Sequence, residues 1–470
     1  MEKSKIKEYF NKAAEARDKW RKKNWYYHRD MEAFYSFAIP EGSSILDIGC
    51  ATGDLLANLK PNTGAGIDIS ENMVKIAKSK YPHLEFQTGD VENLNIDKKY
   101  DFIIMQDLIG NLSDVWLAFR NLRLVTHPKT RVVITYYNHL WEPAILLAEK
   151  IGLKMKQPYQ NWLALDDIGN LLYLNNYEII KKGYRFLCPF YIPFVSDFIN
   201  KYIAKLPFVK DLCLVGFIVA KESAGNFEKK EYSFSVIIPC RNEAANIEPA
   251  VERVPFLGKG FEIIFVDGNS SDGTIEKIKE MIEKHREKKI KLVLQGGAFG
   301  KADAVRKGFD AATGDILMIL DADITVPPED LSKFYIAISE GKGEFINGTR
   351  LVYPMEKEAM RTLNMIGNKI FSIIFTWILE QRIKDTLCGT KVFLREDYLK
   401  IKANRSYFGD FDPFGDYDLL FGAAKLNLKI VEMPVRYRER VYGTTKISRF
   451  THGLLLLKMC WTALIKFKFR

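Results

Sequence analysis

Two aspartates that lie one residue apart, Asp321 and Asp323, follow an apolar run in the stretch ILMILDADITVPPEDL, residues 316–331. Carboxylate oxygens are the hard ligands that Mg²⁺ and Mn²⁺ prefer, and such ions neutralise the charge that develops on a departing diphosphate. The pair therefore predicts a metal site at the end of a buried strand. A turn with two solvated acids before a proline-initiated helix is the structural alternative, and the pair alone does not separate the two.

A second group of residues with chemical potential lies near the start of the chain. The stretch SSILDIGCATGDLLANL, residues 43–59, has the pattern of an apolar strand that runs into a glycine-bearing turn and a helix. The next strand, GAGIDIS, ends at Asp68, 21 residues after Asp47. Glycines let a backbone approach a ligand closely, and an acid at the tip of the second strand can accept both hydroxyls of a ribose. This order of elements predicts a nucleotide-binding crevice.

The first part of the chain, roughly residues 30–220, resembles the class I S-adenosylmethionine-dependent methyltransferases. The first motif of that family, a strand followed by DxGxGxG, matches Asp47, Gly49 and Gly53, and Ala51 stands in the place of the middle glycine. The resemblance implies a Rossmann-like sheet with these residues at the cofactor.

The same resemblance implies S-adenosylmethionine as the cofactor and assigns further residues to it. Asp68 would bind the ribose, and Asp90 of TGDVENL would lie near the adenine amino group. Gln106 and Asp107 would lie at the carboxyl end of the fourth strand and face the crevice. Methyl transfer is a displacement at a sulfonium centre, so positioning supplies most of the catalysis, and no general base is identified.

An aromatic cluster, Tyr26, Tyr27 and His28 in NWYYHRD, precedes this region. It is interpreted either as part of a lid over the crevice or as an aromatic helix packed on the sheet.

The second half alternates apolar strands with helical segments: SFSVIIPCRNEAANI, FEIIFVDGNSSDGT, KLVLQGG and GDILMILDAD. This alternation predicts a parallel sheet covered on both faces, with ligands at the carboxyl ends of the strands. Polar side chains follow several of these strands: Arg241, Asn242, Glu243, Asp267, Asp321 and Asp323.

That pattern resembles the family 2 glycosyltransferases of GT-A fold. VDGNSSDGT is similar to their DDGSxDGT segment, with Gly268 in place of the second acid, and LDAD is their DxD motif. The resemblance implies Mg²⁺ or Mn²⁺ at Asp323, with Asp321 on ribose or a metal-bound water. It assigns the nucleotide-sugar pocket to Pro239, Glu243, Asp267, Lys301 and Asp321.

Residues 233–450 are similar to the dolichyl-phosphate mannosyltransferase-like branch of that family. The third polar residue on the metal side falls at Thr325, a weaker ligand. Matches to INGTRLVYP, RIKDTLCGTKVF and VEMPVRYRERVYGTTKIS assign the acceptor end to Arg350, Asp385, Gly389 and Lys391, and the phosphates of donor and acceptor to the catalytic residues Arg440 and Lys446.

The stretch YFGDFDPFGDYDLLFGAAKL adds further acids, among them Asp416 and Asp418. Either could be a catalytic base for a sugar hydroxyl acceptor, whereas a lipid phosphate is already anionic and needs none. A helix that is N-capped, with acids near its positive end, is the structural alternative.

Composition limits the remaining possibilities. The net charge is +10, and the segment from Met433 to Arg470 is strongly basic. No nucleic-acid-binding motif accompanies this charge. The tail GLLLLKMCWTALIKFKFR is broken by Lys458 and suits either an amphipathic helix on a membrane surface or a core-packed helix with a basic flank. The six cysteines lack CxxC spacing and are interpreted as reduced thiols, and the N-terminus has no apolar signal segment.

The sequence thus predicts a two-domain α/β enzyme: a methyltransferase domain over 1–221, a linker over 222–232, and a glycosyltransferase domain over 233–470 that ends in the amphipathic tail. The expected partners are a UDP- or GDP-sugar donor, polyprenyl phosphate or a lipid-linked glycan as acceptor, and the cytoplasmic face of a membrane, without nucleic acid. The alternative is that the first domain only binds S-adenosylmethionine or serves as a scaffold.

Overall fold

The computed structural model describes residues 3–158, 160–223, 230–297, 300–350, 362–407, 415–438, 442 and 449–469, without the side chains of 362–366, 416 and 449–454. The chain divides into two compact units. Met1–Ser223 forms the bulk of the first unit, and Ala224–Lys468 forms the bulk of the second.

The first unit contains a seven-stranded sheet in the order β3-β2-β1-β4-β5-β7-β6. Its strands are β1 Ser44–Ile48, β2 Thr63–Asp68, β3 Glu85–Thr88, β4 Phe102–Gln106, β5 Arg131–Tyr137, β6 Tyr177–Arg185 and β7 Val215–Glu222. Its helices are α1 Lys3–Lys23, α2 Trp25–Ala38, α3 Asp54–Asn58, α4 Glu71–Lys80, α5 Val115–Asn121, α6 Glu142–Lys150, α7 Leu165–Leu174 and α8 Val195–Lys201. Strand β7 runs antiparallel to both β5 and β6.

The central strand β1 explains why this sheet has helices on both faces. Successive side chains of a strand point to opposite faces, so a strand with apolar residues at consecutive positions must be covered twice. Ile45 packs into one helical layer with Leu56, and Leu46 packs into the other with Ile103. Strand β1 pairs in parallel with β2 on one side and with β4 on the other, and the chain crosses over at this point. A crevice therefore opens at the carboxyl end of β1.

The second unit contains another seven-stranded sheet, in the order β10-β9-β8-β11-β13-β12-β14. Its strands are β8 Ser233–Cys240, β9 Gly260–Asp267, β10 Ile290–Leu294, β11 Ile316–Ile319, β12 Phe345–Thr349, β13 Lys391–Leu394 and β14 Ile430–Pro434. Its helices are α9 Ala244–Arg253, α10 Thr274–Lys284, α11 Lys301–Ala311, α12 Leu331–Ser339, α13 Thr362–Leu379, α14 Arg395–Ala403, α15 Asp416–Lys425 and α16 Arg449–Ala463. The two α/β sheets confirm the predicted fold class.

The four strands from which a parallel sheet was predicted do pair in parallel, but the sheet as a whole is mixed. Strand β13 runs antiparallel to β11 and to β12. The crossover through α12 carries the chain from β11 to β12, which leaves space for one strand between them. Strand β13 fills that space and runs in the direction opposite to its two neighbours.

Helices α13, α15 and α16 contribute to one apolar layer of the second unit. The ring of Phe375 stacks on Tyr417 with centroids 4.7 Å apart, and Met459 is buried in the same cluster. Trp461 of α16 and Ile373 of α13 are exposed. Each of these two helices thus has one face in the core and apolar side chains on the outside. Among the described residues, none of the helices combines the length and the apolar character that a membrane span requires.

Candidate active sites

The first unit has a cavity of about 150 Å³ at the carboxyl ends of β1, β2 and β4. Four of the predicted cofactor-binding residues line it: Gly49, Asp68, Asp90 and Gln106. The sheet brings these residues together because the carboxyl ends of parallel strands meet at one edge. The other two predicted residues, Asp47 within β1 and Gly53 in the turn that follows β1, are not among the residues that line the cavity.

The turn after β1 depends on left-handed backbone conformations. Gly53 has φ +80°, and a Cβ atom there would lie 2.6 Å from the ring of Phe86. Ala51, which replaces the family's middle glycine, also has a positive φ of +47°. A left-handed conformation costs a non-glycine residue roughly 1–2 kcal/mol. The backbone N–H of Ala51 donates to Asp68 Oδ2 over 2.9 Å, so the turn keeps its shape despite the substitution.

Two acids lie next to this turn, the buried Asp47 of β1 and the half-buried Asp68 at the end of β2. Asp68 Oδ1 accepts a hydrogen bond from the backbone N–H of Ser70, and burial raises the pKa of Asp68. Burial also raises the pKa of Asp47 to about 7, and the neighbouring charge of Asp68 adds to the shift. Asp47 therefore loses its proton at a considerably higher pH than an exposed aspartate does. Asp68 lines the cavity, whereas Asp47 does not.

The position of Asp47 predicts a pH-dependent effect on stability. Its pKa in the folded state lies above its usual value of 3.8, so ionisation opposes folding. The penalty is absent below about pH 3.8, grows with pH, and is complete above about pH 7. Asp47→Asn should therefore raise the free energy of unfolding at pH 8 by up to roughly 4 kcal/mol, and by much less at pH 4. Urea denaturation at the two pH values tests this.

Asp97→Asn is the matched control, because Asp97 is exposed in the same unit. This control should leave the free energy of unfolding within about 0.5 kcal/mol of the wild type. An Asp47→Asn variant that is less stable than the wild type at pH 8 would contradict the assignment.

Helix α1 covers the cavity, which the sequence did not predict. Lys3, Ile6, Phe10 and Arg17 line the cavity from one face of this helix. The ammonium group of Lys3 lies 2.8 Å from Asp90, the predicted adenine-side acid. The same ammonium lies 2.8 Å from Glu92 Oε2. Farther along α1, Asn11 Oδ1 accepts a hydrogen bond from Ser70 Oγ over 2.7 Å. These contacts fix α1 over the adenine and ribose ends of the predicted cofactor site.

The aromatic cluster around residue 27 belongs to α2, and two of its members pack in the interior. Tyr26 and His28 are buried, in agreement with the packed-helix alternative. Burial lowers the pKa of His28 to about 3, and the charges of Arg17 and Arg21 add to the shift. The imidazole of His28 is therefore neutral, and it is too weak a base to take a proton from an acceptor near neutral pH.

Tyr27 is half-buried and contacts Asp107. Its hydroxyl group lies 2.8 and 2.7 Å from the two carboxylate oxygens of Asp107. Asp107 lines the cavity together with Tyr137 and has a left-handed φ of +53°. Burial raises the pKa of Asp107 to about 6, against the opposing effect of the Tyr27 hydrogen bond. Asp107 is thus a candidate for the carboxylate base that the sequence did not identify.

In the second unit, the predicted nucleotide pocket is built on the carboxyl ends of β8 and β9. Asp267 is buried, and its Oδ1 accepts a hydrogen bond of 2.5 Å from Ser270 Oγ. Glu243, three residues beyond the end of β8, is also buried and accepts a hydrogen bond from Asn246 Nδ2 over 2.7 Å. Pro239 lies within β8. The side chains of both acids are held by local hydrogen bonds at the strand ends.

Gly268 stands where the family motif has a second acid, and the structure explains why a side chain fits poorly there. A Cβ atom at Gly268 would lie 3.0 Å from Gln295 Oε1. Gln295 in turn donates to the carbonyl of Gly300 and to Asp303, over 2.8 and 3.0 Å. Gln295 was not singled out from the sequence, and it fixes the residues that lead into α11.

Lys301, the first residue of α11, makes an ion pair with Asp321. Its ammonium lies 2.6 Å from Asp321 Oδ1. Burial alone would raise the pKa of Asp321, but the charges of Lys301, Lys391 and Arg350 lower it below its usual value. Asp321 is thus ionised at neutral pH and is surrounded by three cations. Lys301, predicted for the donor side, and Arg350 and Lys391, predicted for the acceptor side, thus all act on the carboxylate of Asp321.

Gly389 closes this cluster. A Cβ atom at Gly389 would lie 2.2 Å from Asp321 Oδ2 and 2.6 Å from the ammonium of Lys301. Gly389→Ala should therefore displace the ion pair and reduce the activity of this site about 100-fold or more, because a displacement of about 1 Å is enough for such a loss. Kinetics of the purified variant test this.

Gly367→Ala is the matched control for Gly389→Ala. A Cβ atom at Gly367, within α13, meets no atom within 4 Å. Alanine is favoured over glycine in a helix, so this variant should keep full activity. Equal activities of the two variants would contradict the role of Gly389.

The predicted metal site has two carboxylates at the turn after β11. Asp323 Oδ1 accepts hydrogen bonds from Thr325, from its hydroxyl at 2.8 Å and from its N–H at 3.2 Å. The described residues contain no cluster of three or more histidine, cysteine or acidic ligands. Mg²⁺ typically takes one or two carboxylates from the protein and further oxygens from substrate phosphates and water. The carboxylates of Asp321 and Asp323 fit that ligand set, and Thr325 is already hydrogen-bonded to one of them.

The acceptor side contains a second buried ion pair. Arg350 donates to both carboxylate oxygens of Asp385, over 2.7 and 2.8 Å. Asn368 Nδ2 adds a hydrogen bond of 2.8 Å to Asp385 Oδ1. Burial alone would raise the pKa of Asp385, yet the charge of Arg350 lowers it to about 2. Asp385 therefore orients the guanidinium group of Arg350, and Lys391 is buried beside them with its ammonium 2.5 Å from the carbonyl of Cys388.

Asp418, one of the two predicted alternatives for a catalytic base, lies in α15 between two arginines. Its Oδ2 is 3.1 Å from Arg306 and 3.4 Å from Arg405. Burial raises its pKa, and the two guanidinium groups oppose this shift. The side chain of Asp416 and the residues Arg440 and Lys446 lie outside the described residues.

Two family models match the chain over separate ranges. Residues 20–182 match the model described as methyltransferase domain. Residues 235–401 match the model described as glycosyl transferase family 2.

Individual relatives are similar to the second half of the chain. A dolichol-phosphate mannosyltransferase of Pyrococcus furiosus is 38% identical over 219 residues, which cover 46% of this chain and 59% of the relative. A glycosyltransferase, AglJ, of Haloferax volcanii is 30% identical over 211 residues, 44% of this chain and 64% of the relative. A dolichol-phosphate mannosyltransferase of Saccharomyces cerevisiae is 34% identical over 122 residues, 25% of this chain and 44% of the relative. The chain thus spans less than two thirds of these three curated relatives.

Among solved structures, a S-adenosylmethionine-dependent methyltransferase of Thermotoga maritima, described as a possible histamine N-methyltransferase, covers 46% of this chain and 100% of that protein. The sequence identity is 14% and the TM-score is 0.37.

Proposed function

Since the chain carries a methyltransferase domain over residues 20–182 and a family 2 glycosyltransferase domain over residues 235–401, we propose that it is a bifunctional enzyme for a lipid-linked sugar. These matches confirm both resemblances drawn from the sequence. The second domain would transfer a sugar from a UDP- or GDP-sugar to polyprenyl phosphate. The first would transfer a methyl group from S-adenosylmethionine, with the sugar product as the proposed acceptor.

The observation that carries the sugar-transfer proposal is the cationic cluster around Asp321. Lys301, Arg350 and Lys391 all contribute positive charge at this carboxylate. A nucleoside diphosphate and a lipid phosphate are both anions, and cations fixed in a buried site stabilise such groups more strongly than they would in water. The cluster therefore suits a reaction in which a phosphate attacks and a diphosphate leaves.

In the proposed reaction, an oxygen of the lipid phosphate attacks the anomeric carbon of the donor sugar. A new carbon–oxygen bond forms there, the bond to the donor diphosphate breaks, and its electron pair remains on the diphosphate oxygen. Lys301 stabilises that developing charge, and Arg350, oriented by Asp385, binds the attacking phosphate. Mg²⁺ or Mn²⁺ held by Asp321 and Asp323 would supply further charge neutralisation at the diphosphate.

A phosphate acceptor is favoured over a sugar hydroxyl by the surroundings of Asp418. A hydroxyl acceptor requires a general base, and the carboxylate of Asp418 is already engaged by Arg306 and Arg405. A lipid phosphate is ionised at neutral pH and requires none. Two of the relatives are named dolichol-phosphate mannosyltransferases, which supports the same acceptor class.

For methyl transfer, we propose Asp107 as the general base. The acceptor atom attacks the methyl carbon of S-adenosylmethionine, the carbon–sulfur bond breaks, its electron pair returns to sulfur, and the acceptor proton passes to Asp107. Tyr27 holds both oxygens of this carboxylate and thereby orients it toward the cavity. This mechanism implies an acceptor that carries a proton, such as a sugar hydroxyl or amine.

A radiochemical assay tests both activities of the full chain. Purified protein is incubated with labelled UDP- and GDP-sugars, polyprenyl phosphate and Mn²⁺, with and without a chelator, and the lipid product is then offered methyl-labelled S-adenosylmethionine. Transfer of one sugar to lipid that requires both the metal and Asp323, as judged with Asp323→Asn, supports the proposal. Sugar transfer without methyl transfer would leave the first domain as a binding module or scaffold.

A further inference from the structure

Residues 187–212 of the first unit expose several large apolar side chains that line neither the cavity nor the sheet. Along the chain, these residues lie between Phe186 and Cys213, which are both buried. Phe194 and Phe208 expose 89% and 93% of their surface. We define the apolar surface of this unit by its six most characteristic members: Phe190, Ile192, Phe194, Phe198, Phe208 and Leu212.

The backbone beneath this apolar surface is held in a defined shape. Ser196 Oγ accepts from the N–H of Ile192 over 2.8 Å and donates to the carbonyl of Phe190 over 2.6 Å. Asn200 bonds to both backbone groups of Cys188, over 2.8 and 2.9 Å. Phe194 has a φ of +63°, an uncommon value for a bulky residue. The exposure of these rings is therefore built into the fold.

Cations lie beside tyrosine rings of α2 and of residues 187–212. The guanidinium group of Arg29 lies 4.8 Å from the ring centroid of Tyr26 and 5.9 Å from that of Tyr191. The ammonium of Lys201 lies 5.7 Å from the ring of Tyr202. Arg29 also forms an ion pair with Asp197. Together with Lys201, Lys205 and Lys210, it gives four cations in and beside residues 187–212, against the two acids Asp197 and Asp211.

We propose that this apolar surface docks on a phospholipid bilayer that contains anionic lipids. Phenylalanine rings that expose about nine tenths of their surface protrude, and a fluid bilayer accepts protruding rings without a matching pocket. The basic side chains next to them complement anionic headgroups, as in interfacial membrane-binding elements. This proposal rests on the surface alone and not on either proposed activity.

Vesicle co-sedimentation of the full chain tests the proposal. The probes are phosphatidylcholine vesicles with and without phosphatidylglycerol, and the variant is Phe194→Ser/Phe208→Ser. Both rings are almost fully exposed, so the variant should fold normally, which its unchanged thermal shift with S-adenosylhomocysteine would show. We expect the apparent partition coefficient to fall by at least about tenfold. The wild type should bind more strongly to the vesicles with phosphatidylglycerol.

Phe256→Ser is the matched control, because Phe256 is 74% exposed but lies in the second unit. This control should change the partition coefficient less than about twofold. Equal binding by the double variant and the wild type, or no vesicle binding by the wild type, would overturn the proposal. So would a wild-type dimer in light scattering that the double variant dissociates while vesicle binding stays unchanged, since the surface would then serve a protein partner.

Discussion

Lys301→Met should lower the rate of sugar transfer by about two to three orders of magnitude. The ammonium of Lys301 lies 2.6 Å from Asp321, at the point where the proposed diphosphate leaves. Methionine keeps the length of the side chain but removes the charge that stabilises the leaving group and offsets the buried carboxylate. Because that stabilisation grows as the bond breaks, kcat should fall more than the affinity for the donor. Steady-state kinetics with saturating polyprenyl phosphate measure both.

Lys402→Met is the control for this experiment. Lys402 also pairs with an aspartate, Asp310 at 2.7 Å, but the side chains of both are exposed to solvent. Exposed ion pairs contribute at most about 1 kcal/mol, so this variant should retain activity within about twofold of the wild type. A Lys301→Met enzyme with unchanged kcat would remove Lys301 from the mechanism, and a variant with lost nucleotide binding and a lowered melting temperature would show a structural role only.

Asp107→Asn should reduce methyl transfer by about 100- to 10,000-fold while S-adenosylmethionine still binds. The wild-type rate should rise with pH through the pKa of about 6 that burial gives Asp107, because only the ionised carboxylate accepts a proton. Tyr27→Phe removes the hydrogen bond that lowers this pKa, so its pH profile should move to higher pH. The measurements are the pH dependence of methyl transfer to the lipid-linked sugar and calorimetric binding of S-adenosylhomocysteine.

The pH profile separates catalysis from a structural effect. Loss of a packing contact would lower activity at every pH, whereas loss of the base removes the ascending limb near pH 6. A Tyr27→Phe enzyme with the wild-type profile would contradict the link between Tyr27 and Asp107. Full activity of Asp107→Asn would mean that the acceptor needs no base or finds one elsewhere.

The sequence predicted the positions of the first site well where parallel strands carry the residues. Asp68 and Gln106 follow from the order of strands alone, because their strands flank β1 in the sheet. The contact between Tyr27 and Asp107 could not be predicted, since 80 residues separate them and Tyr27 lies in a helix before the sheet. Its signal in the sequence was only an aromatic cluster, and two of its members are core residues.

The second site shows the same limit. The motif identified Asp321 and Lys301 separately, but their ion pair depends on how α11 meets the turn after β11. The arginines that engage Asp418 come from α11 and from the segment after α14, and no local pattern indicates them. The antiparallel entry of β13 likewise depends on the whole sheet, because a short strand carries no signal of its direction.

Helix α1 gives the first unit a kinetic property. We expect cofactor exchange to involve movement of α1 away from the cavity, and the attachments of α1 include exposed or partly exposed ion pairs of Lys3 and Lys7. Such pairs are screened at high ionic strength, whereas the hydrogen bond between Asn11 and Ser70 is not. We therefore expect the residence time of a cofactor bound in this cavity to shorten as salt is added. We expect the product S-adenosylhomocysteine to leave by the same route, which would couple turnover of this unit to the opening rate of a single helix.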